Sequence, residues 1–151
     1  MVDTHSQLIE EELATLERLL EERRYAEAFL VSWAIVEFGV DSSVSYLFGL
    51  APSEDEAEIF NEISFARKLA YLKKRGVITT KEFKVFDGLR IRRNDIVHRA
   101  TLEEEGFTGS YQLLAEDSIK TANMANAVAD RIMLKNPELV KHIHEYYDTG
   151  V

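Results

Sequence analysis

Arg93 and His98 stand five residues apart in the run Arg93-Asn94-Asp95-Ile96-Val97-His98, and they bring together the two groups that phosphodiester cleavage without a metal requires. Imidazole moves protons near neutral pH, and a guanidinium holds phosphate oxygens as charge builds on them. Asn94 can fix the imidazole tautomer or donate to the phosphate. The spacing alone is a weak signal, because a chain this rich in arginine produces such pairs by accident. Other chemistry is sparse. The chain contains no cysteine, which excludes disulfides, thiolate metal sites and a cysteine nucleophile. In His142-Ile143-His144-Glu145, residues two apart point to different sides of a helix, so neither a metal nor another cofactor is expected there.

The element that must position Arg93 is a helix running from the Thr79-Thr80-Lys81-Glu82 capping box through His98. On its wheel Val85, Phe86, Leu89, Ile96 and Val97 fill one arc about 120° wide, and Arg93 falls in the middle of that arc. A buried guanidinium without a partner costs several kcal/mol, so Arg93 requires an acid, a partner subunit or a ligand anion. Glu37, inside the otherwise apolar run 33–40, is the expected acid. Asn94 and His98 share the border of the arc with Arg90 one turn earlier, which makes a polar, basic strip suited to a phosphate.

The net charge of −9 argues against a nucleic-acid ligand until its distribution is considered. Residues 67–99 hold eleven Lys or Arg and only Glu82, Asp87 and Asp95 as acids, a net +8 that leaves −17 elsewhere. Lys73, Lys74 and Arg90 are the candidates for guiding RNA.

The remaining pattern is helical throughout, with no strand period or internal repeat. Residues 7–24 form an amphipathic first helix. Residues 25–48 are apolar on nearly every side and form a buried central one, with Gly39 placed to kink it or to admit a neighbour. Ser53-Glu54-Asp55-Glu56 reads as a capping box opening a third helix that runs to Arg75 and stops at Gly76. Residues 102–110 read as a loop, 111–135 as a long helix, and Asn136-Pro137 caps a short one over about 137–147. Trp33, Phe29 and Phe38 are expected in the core rather than as base-stacking platforms. The expected fold is a single all-α domain, a compact bundle of about five to six helices. The longest apolar run, 26–40, is broken by Glu27 and Glu37 and is shorter than a bilayer span. With no signal-peptide pattern at the N-terminus, a cytoplasmic location without membrane contact is expected.

Lys73-Lys74-Arg75-Gly76-Val77-Ile78-Thr79, followed by a helix with Leu89-Arg90-Ile91-Arg92-Arg93-Asn94-Asp95-Ile96-Val97-His98, resembles the catalytic stretch of HEPN proteins. The helical layout is compatible with that family over most of residues 7–135. The resemblance implies a homodimer in which two Arg93 and two His98 line a shared cleft, and a metal-independent cut in single-stranded RNA that leaves a cyclic phosphate. It also implies a role as a toxin or in defence, with a nucleotidyltransferase-type antitoxin as a partner. Some members of that family are inactive and serve as helical interaction modules. One departure stands out: members silenced by adenylylation carry a tyrosine two positions after the histidine, where this chain has Ala100.

Overall fold

The computed structural model describes residues 4–99 and 108–148, with side chains over 10–94 and 111–148. In chain order the elements are α1 (Thr4–Glu21), α2 (Tyr25–Leu47), a 3₁₀ helix (Asp55–Glu62), α3 (Phe65–Lys74), α4 (Thr80–Arg99), α5 (Thr108–Leu134) and α6 (Pro137–Asp148). Among the described residues there is no strand, and the architecture is an all-α bundle. The loop expected at 102–110 lies outside the described residues up to 107, and α5 begins three residues before its expected start.

α2 is the axis of the bundle, and its most extensive packing is against α5. Small residues make this possible. Ser32 Oγ lies 2.5 Å from Ser118 Oγ, and a Cβ added at Gly39 would sit 2.8 Å from that of Ala125. Both contacts are seven residues apart on each helix, so α2 and α5 run in the same direction in a heptad-like register. Gly39 therefore admits a neighbouring helix. Around this seam one core forms from Leu16 and Leu19 of α1, Leu69 and Leu72 of α3, and Phe86 and Leu89 of α4. Leu139 and Ile143 dock α6 on a second cluster with Tyr46 and Ala129. α2 is 23 residues long and, by length and composition alone, would suffice to cross a membrane. The apolar segment is thus longer than the sequence run suggested, and 67% of its most apolar stretch is buried in the bundle.

Local signals set most helix ends. Thr79 and Glu82 form a reciprocal capping box: the Glu82 amide donates to Thr79 Oγ1 at 3.1 Å and the Thr79 amide to Glu82 Oε1 at 2.9 Å. Gly76, at φ +74°, closes α3 with Val77 N–H on the Leu72 carbonyl and Gly76 N–H on that of Lys73. Asn136 Oδ1 accepts from the Leu139 amide and caps α6. α1 ends at Glu21, short of the expected Arg24, because Arg23 adopts φ +59°.

The third helix departs from expectation. It is two elements, broken where Ile63 and Ser64 are extended, and Ser64 rather than Ser53 is the cap, accepting from the Arg67 amide at 3.3 Å. The box expected between Ser53 and Glu56 does not form, and the polar groups at 53 and 54 turn toward the loop and α6. Ser53 Oγ donates to Tyr147 Oη at 3.0 Å, and the Glu54 carboxylate takes the Ala51 amide and His142 Nε2. His142 is thereby engaged with Glu54, while His144 is exposed.

Replacing Gly39 with Ala is expected to destabilise the bundle by about 1–3 kcal/mol, because the seam must open to admit a methyl group. Chemical denaturation checks it, and an unchanged midpoint would mean that α2 and α5 do not meet there. Glu82 also generates a pH dependence. Its hydrogen bond from Arg131 Nη2, at 2.8 Å, holds its pKa below the ordinary 4.5. A carboxylate depressed in the folded state stabilises fully above its unfolded pKa and ceases to do so as pH falls through the folded one. The melting temperature of Glu82→Gln should therefore fall less steeply than that of wild type below pH 4.5, and identical acid limbs would contradict the pairing.

Candidate functional site

The capping box and Gly76 fix where α4 starts, and Phe86 and Leu89 fix its rotation by pointing into the core. Arg93, on that same arc, is half-buried. Its guanidinium carbon lies 5.7 Å from the centre of the Trp33 ring, within cation–π range. Nη1 donates to Asn94 Oδ1 at 3.1 Å, which leaves the Asn94 amide nitrogen for another acceptor. Trp33 is 6% exposed and is held against Phe65 with ring centres 5.0 Å apart. Its indole N–H is buried without a hydrogen-bond partner among the described residues.

The three arginines of this run differ in their partners. Arg90 Nε donates to Asp87 Oδ1 at 2.8 Å, and Arg92 Nη1 pairs with Asp117 on α5 at 3.1 Å. Arg93 forms no ion pair among the described residues. Glu37, the acid expected to meet it, is half-buried on α2 one turn beyond Trp33, and among the described residues no ion pair joins the two. Trp33 and Glu37 lie on the same side of α2, and α4 crosses at the level of the indole rather than one turn further along. Among the described residues this leaves the guanidinium with an aromatic neighbour, an amide neighbour and unused donors.

The basic strip is likewise more differentiated than the charge count implies. Lys68 is buried and paired with Asp41 at 2.6 Å. Lys73 sits 4.8 Å over the Phe83 ring, facing α4, whereas Lys74 is exposed about 100° further round α3. Arg90, engaged by Asp87, is not a free cation. A groove of about 380 Å³ between α4 and α5, lined by Lys84, Gly88 and Arg92 on one side and Asp117, Lys120 and Thr121 on the other, adds cations that sequence reading did not single out. The backbone of His98 lies in the last turn of α4, and its side chain falls outside the described residues. By helix geometry it is about 140° round the axis from Arg93 and ~7.5 Å further along. Asp87, Ile91, Asn94 and the backbone position of His98 follow one another along one side of α4 at spacings of three to four residues, and Ile91 is 47% exposed.

No family model, curated protein or solved structure matches this chain.

Trp33 is the chain's one tryptophan, so its fluorescence reports on the cation beside it. Arg93→Leu should change its emission intensity or maximum while far-UV circular dichroism stays the same. Superimposable emission spectra would place Arg93 away from the indole.

Proposed function

We propose that the protein is a metal-independent endoribonuclease acting on single-stranded RNA as a homodimer, with Arg93, Asn94 and His98 forming the site. The observation that carries this reading is the isolation of Arg93. Both arginines beside it are neutralised by aspartates, whereas Arg93 is half-buried against Trp33 with no carboxylate paired to it among the described residues. A guanidinium in that setting is a ready partner for an anion, and the low-dielectric wall of the indole strengthens the attraction.

In this mechanism the ribose 2′-oxygen attacks the adjacent phosphorus and the 5′-oxygen leaves, so that a 2′,3′-cyclic phosphate and a 5′-hydroxyl result. His98 takes the 2′ proton or supplies one to the leaving oxygen. Arg93 binds the non-bridging oxygens, where charge grows in the transition state, and the Asn94 amide donates beside it. Because Arg93 and His98 of one chain lie on different sides of α4, a second copy that brings its own His98 face alongside completes the arrangement. Lys74 and the cations of the α4–α5 groove guide the strand, and their contribution weakens with salt. A toxin-like or defence role in the cytoplasm, opposed by a nucleotidyltransferase-type antitoxin, goes with this activity.

A second reading is favoured by one observation. Trp33 and Asn94 already give Arg93 intramolecular partners, which suits a strut holding α4 to α2 in a catalytically silent interaction module.

The two readings separate in an assay on fluorescent single-stranded RNA with EDTA present. The first expects wild-type cleavage to survive chelation and His98→Ala to lose about 10² to 10⁴ in rate with helicity intact. Equal cleavage by the two proteins, or none by wild type across a varied RNA set, would favour the silent module.

A further inference from the structure

The groove between the end of α2, the 3₁₀ helix and α3 lies some 11 to 15 residues along α2 from Trp33, and thus well away from Arg93. Its lining is mainly apolar: Val44 of α2 and Phe48 just past its end, Phe60 of the 3₁₀ helix and Ile63 just past it, and Tyr71 of α3, with Arg67 and Lys68 completing the wall. Phe48 packs between Phe60 and Tyr71, with ring centres 4.9 and 5.9 Å away, yet it remains 53% exposed. Ile63 is 38% exposed. Neighbouring large apolar groups left in water mark a surface that another body covers.

The charges flanking the groove indicate which body. On one side the 3₁₀ helix carries Asp55, Glu56, Glu58 and Glu62 and no cation. On the other, Arg67, Lys74 and Arg75 fall on the same side of α3 as Tyr71, at spacings of three to four residues. All seven charged groups are exposed, and among the described residues none of them forms an ion pair within the chain. This contrasts with Lys68, Arg90, Arg92 and Arg131, each of which has found an acid. A partner of uniform charge would be attracted by one wall and repelled by the other. A second copy turned about a two-fold axis through the groove sets its basic wall on the first copy's acidic wall, and the reverse contact follows by symmetry.

We infer that this groove is a self-association surface, in which two copies bury Phe48 and Ile63 against each other and pair the 3₁₀ helix of each with α3 of the other. The surface contains none of Arg93, Asn94 and His98 and shares only Lys74 with the ribonuclease reading, so its test leaves Lys74 unchanged. Where the α4 face also associates, the two two-fold contacts together build a larger assembly.

Reversing one wall at a time tests it by sedimentation, without RNA. Glu58→Lys/Glu62→Lys alone, or Arg67→Glu/Arg75→Glu alone, brings like charges together at both contacts. Each variant should raise the dissociation constant of this contact by about 100-fold or more and halve the assembled mass. Mixing the two variants should restore the wild-type mass, because each wall of the mixed pair then meets its opposite. Phe48→Glu should dissociate the contact, and no mixture with a wall variant should restore it. Wall variants that sediment like wild type, or a mixture that stays dissociated, would overturn the proposal and leave the groove to a partner of different sequence. RNA cleavage is measured on the same samples, and its presence or absence bears on the ribonuclease reading alone.

Discussion

The contact between Gly39 and Ala125 is the constraint from which the remaining arrangement follows. Two helices approach this closely only where neither carries bulk, and α5 supplies Ala115, Ser118, Ala122, Ala125 and Ala129 at helical spacing on its buried side. With that side of α2 committed to α5, the other side offers Trp33, Asp41 and Phe48 to the rest of the chain. Phe65 meets Trp33, Lys68 meets Asp41, and Phe60 and Tyr71 meet Phe48. α3 and the 3₁₀ helix are thus arranged along α2, and α4 follows because Gly76 and the Thr79 cap leave it little choice of direction. Arg93 arrives over Trp33 as the last consequence of that sequence of placements.

Electrostatics then sort a segment that is uniformly basic by count. Three of its cations are matched to aspartates: buried Lys68 to Asp41, Arg90 to Asp87 and Arg92 to Asp117. Their charge is spent on holding the fold, with the exposed Arg92 pair contributing least. What remains is divided by position. Arg93 is enclosed by an indole and an amide, Lys74 and its neighbours Arg67 and Arg75 line one side of α3, and Lys84 borders the α4–α5 groove, where Lys120 of α5 joins it. The same excess of +8 therefore resolves into an enclosed cation beside the proposed chemistry and two exposed strips suited to larger charged surfaces.

Much of this was legible in the residues. The Thr79–Glu82 box, the Gly76 stop and the Asn136-Pro137 start are interactions between groups three to five residues apart, and the chain states them locally. The placement of Arg93 on an apolar arc was legible too, because Phe86 and Leu89 fix the rotation of α4. What it would meet was not. Glu37 and Trp33 share one side of α2, so the choice between them depends on where along α2 the end of α4 crosses, and no local pattern encodes that. The break at Ile63-Ser64 lacks glycine or proline, and Ser53 was misread because the partner of its hydroxyl, Tyr147, is some ninety residues away in the chain. Asp117 as the partner of Arg92 has the same long-range character, whereas Asp87 with Arg90 follows from their spacing of three.

The central claim is that Arg93 and His98, different in chemistry and position on the helix, serve one transition state. Comparing rates of RNA cleavage for Arg93→Ala, His98→Ala and the double variant tests it most directly. The account predicts a double variant no more than a few-fold slower than the slower single one, because either loss already disables the shared step. Losses that multiply would contradict it, as would a wild-type protein that leaves RNA intact.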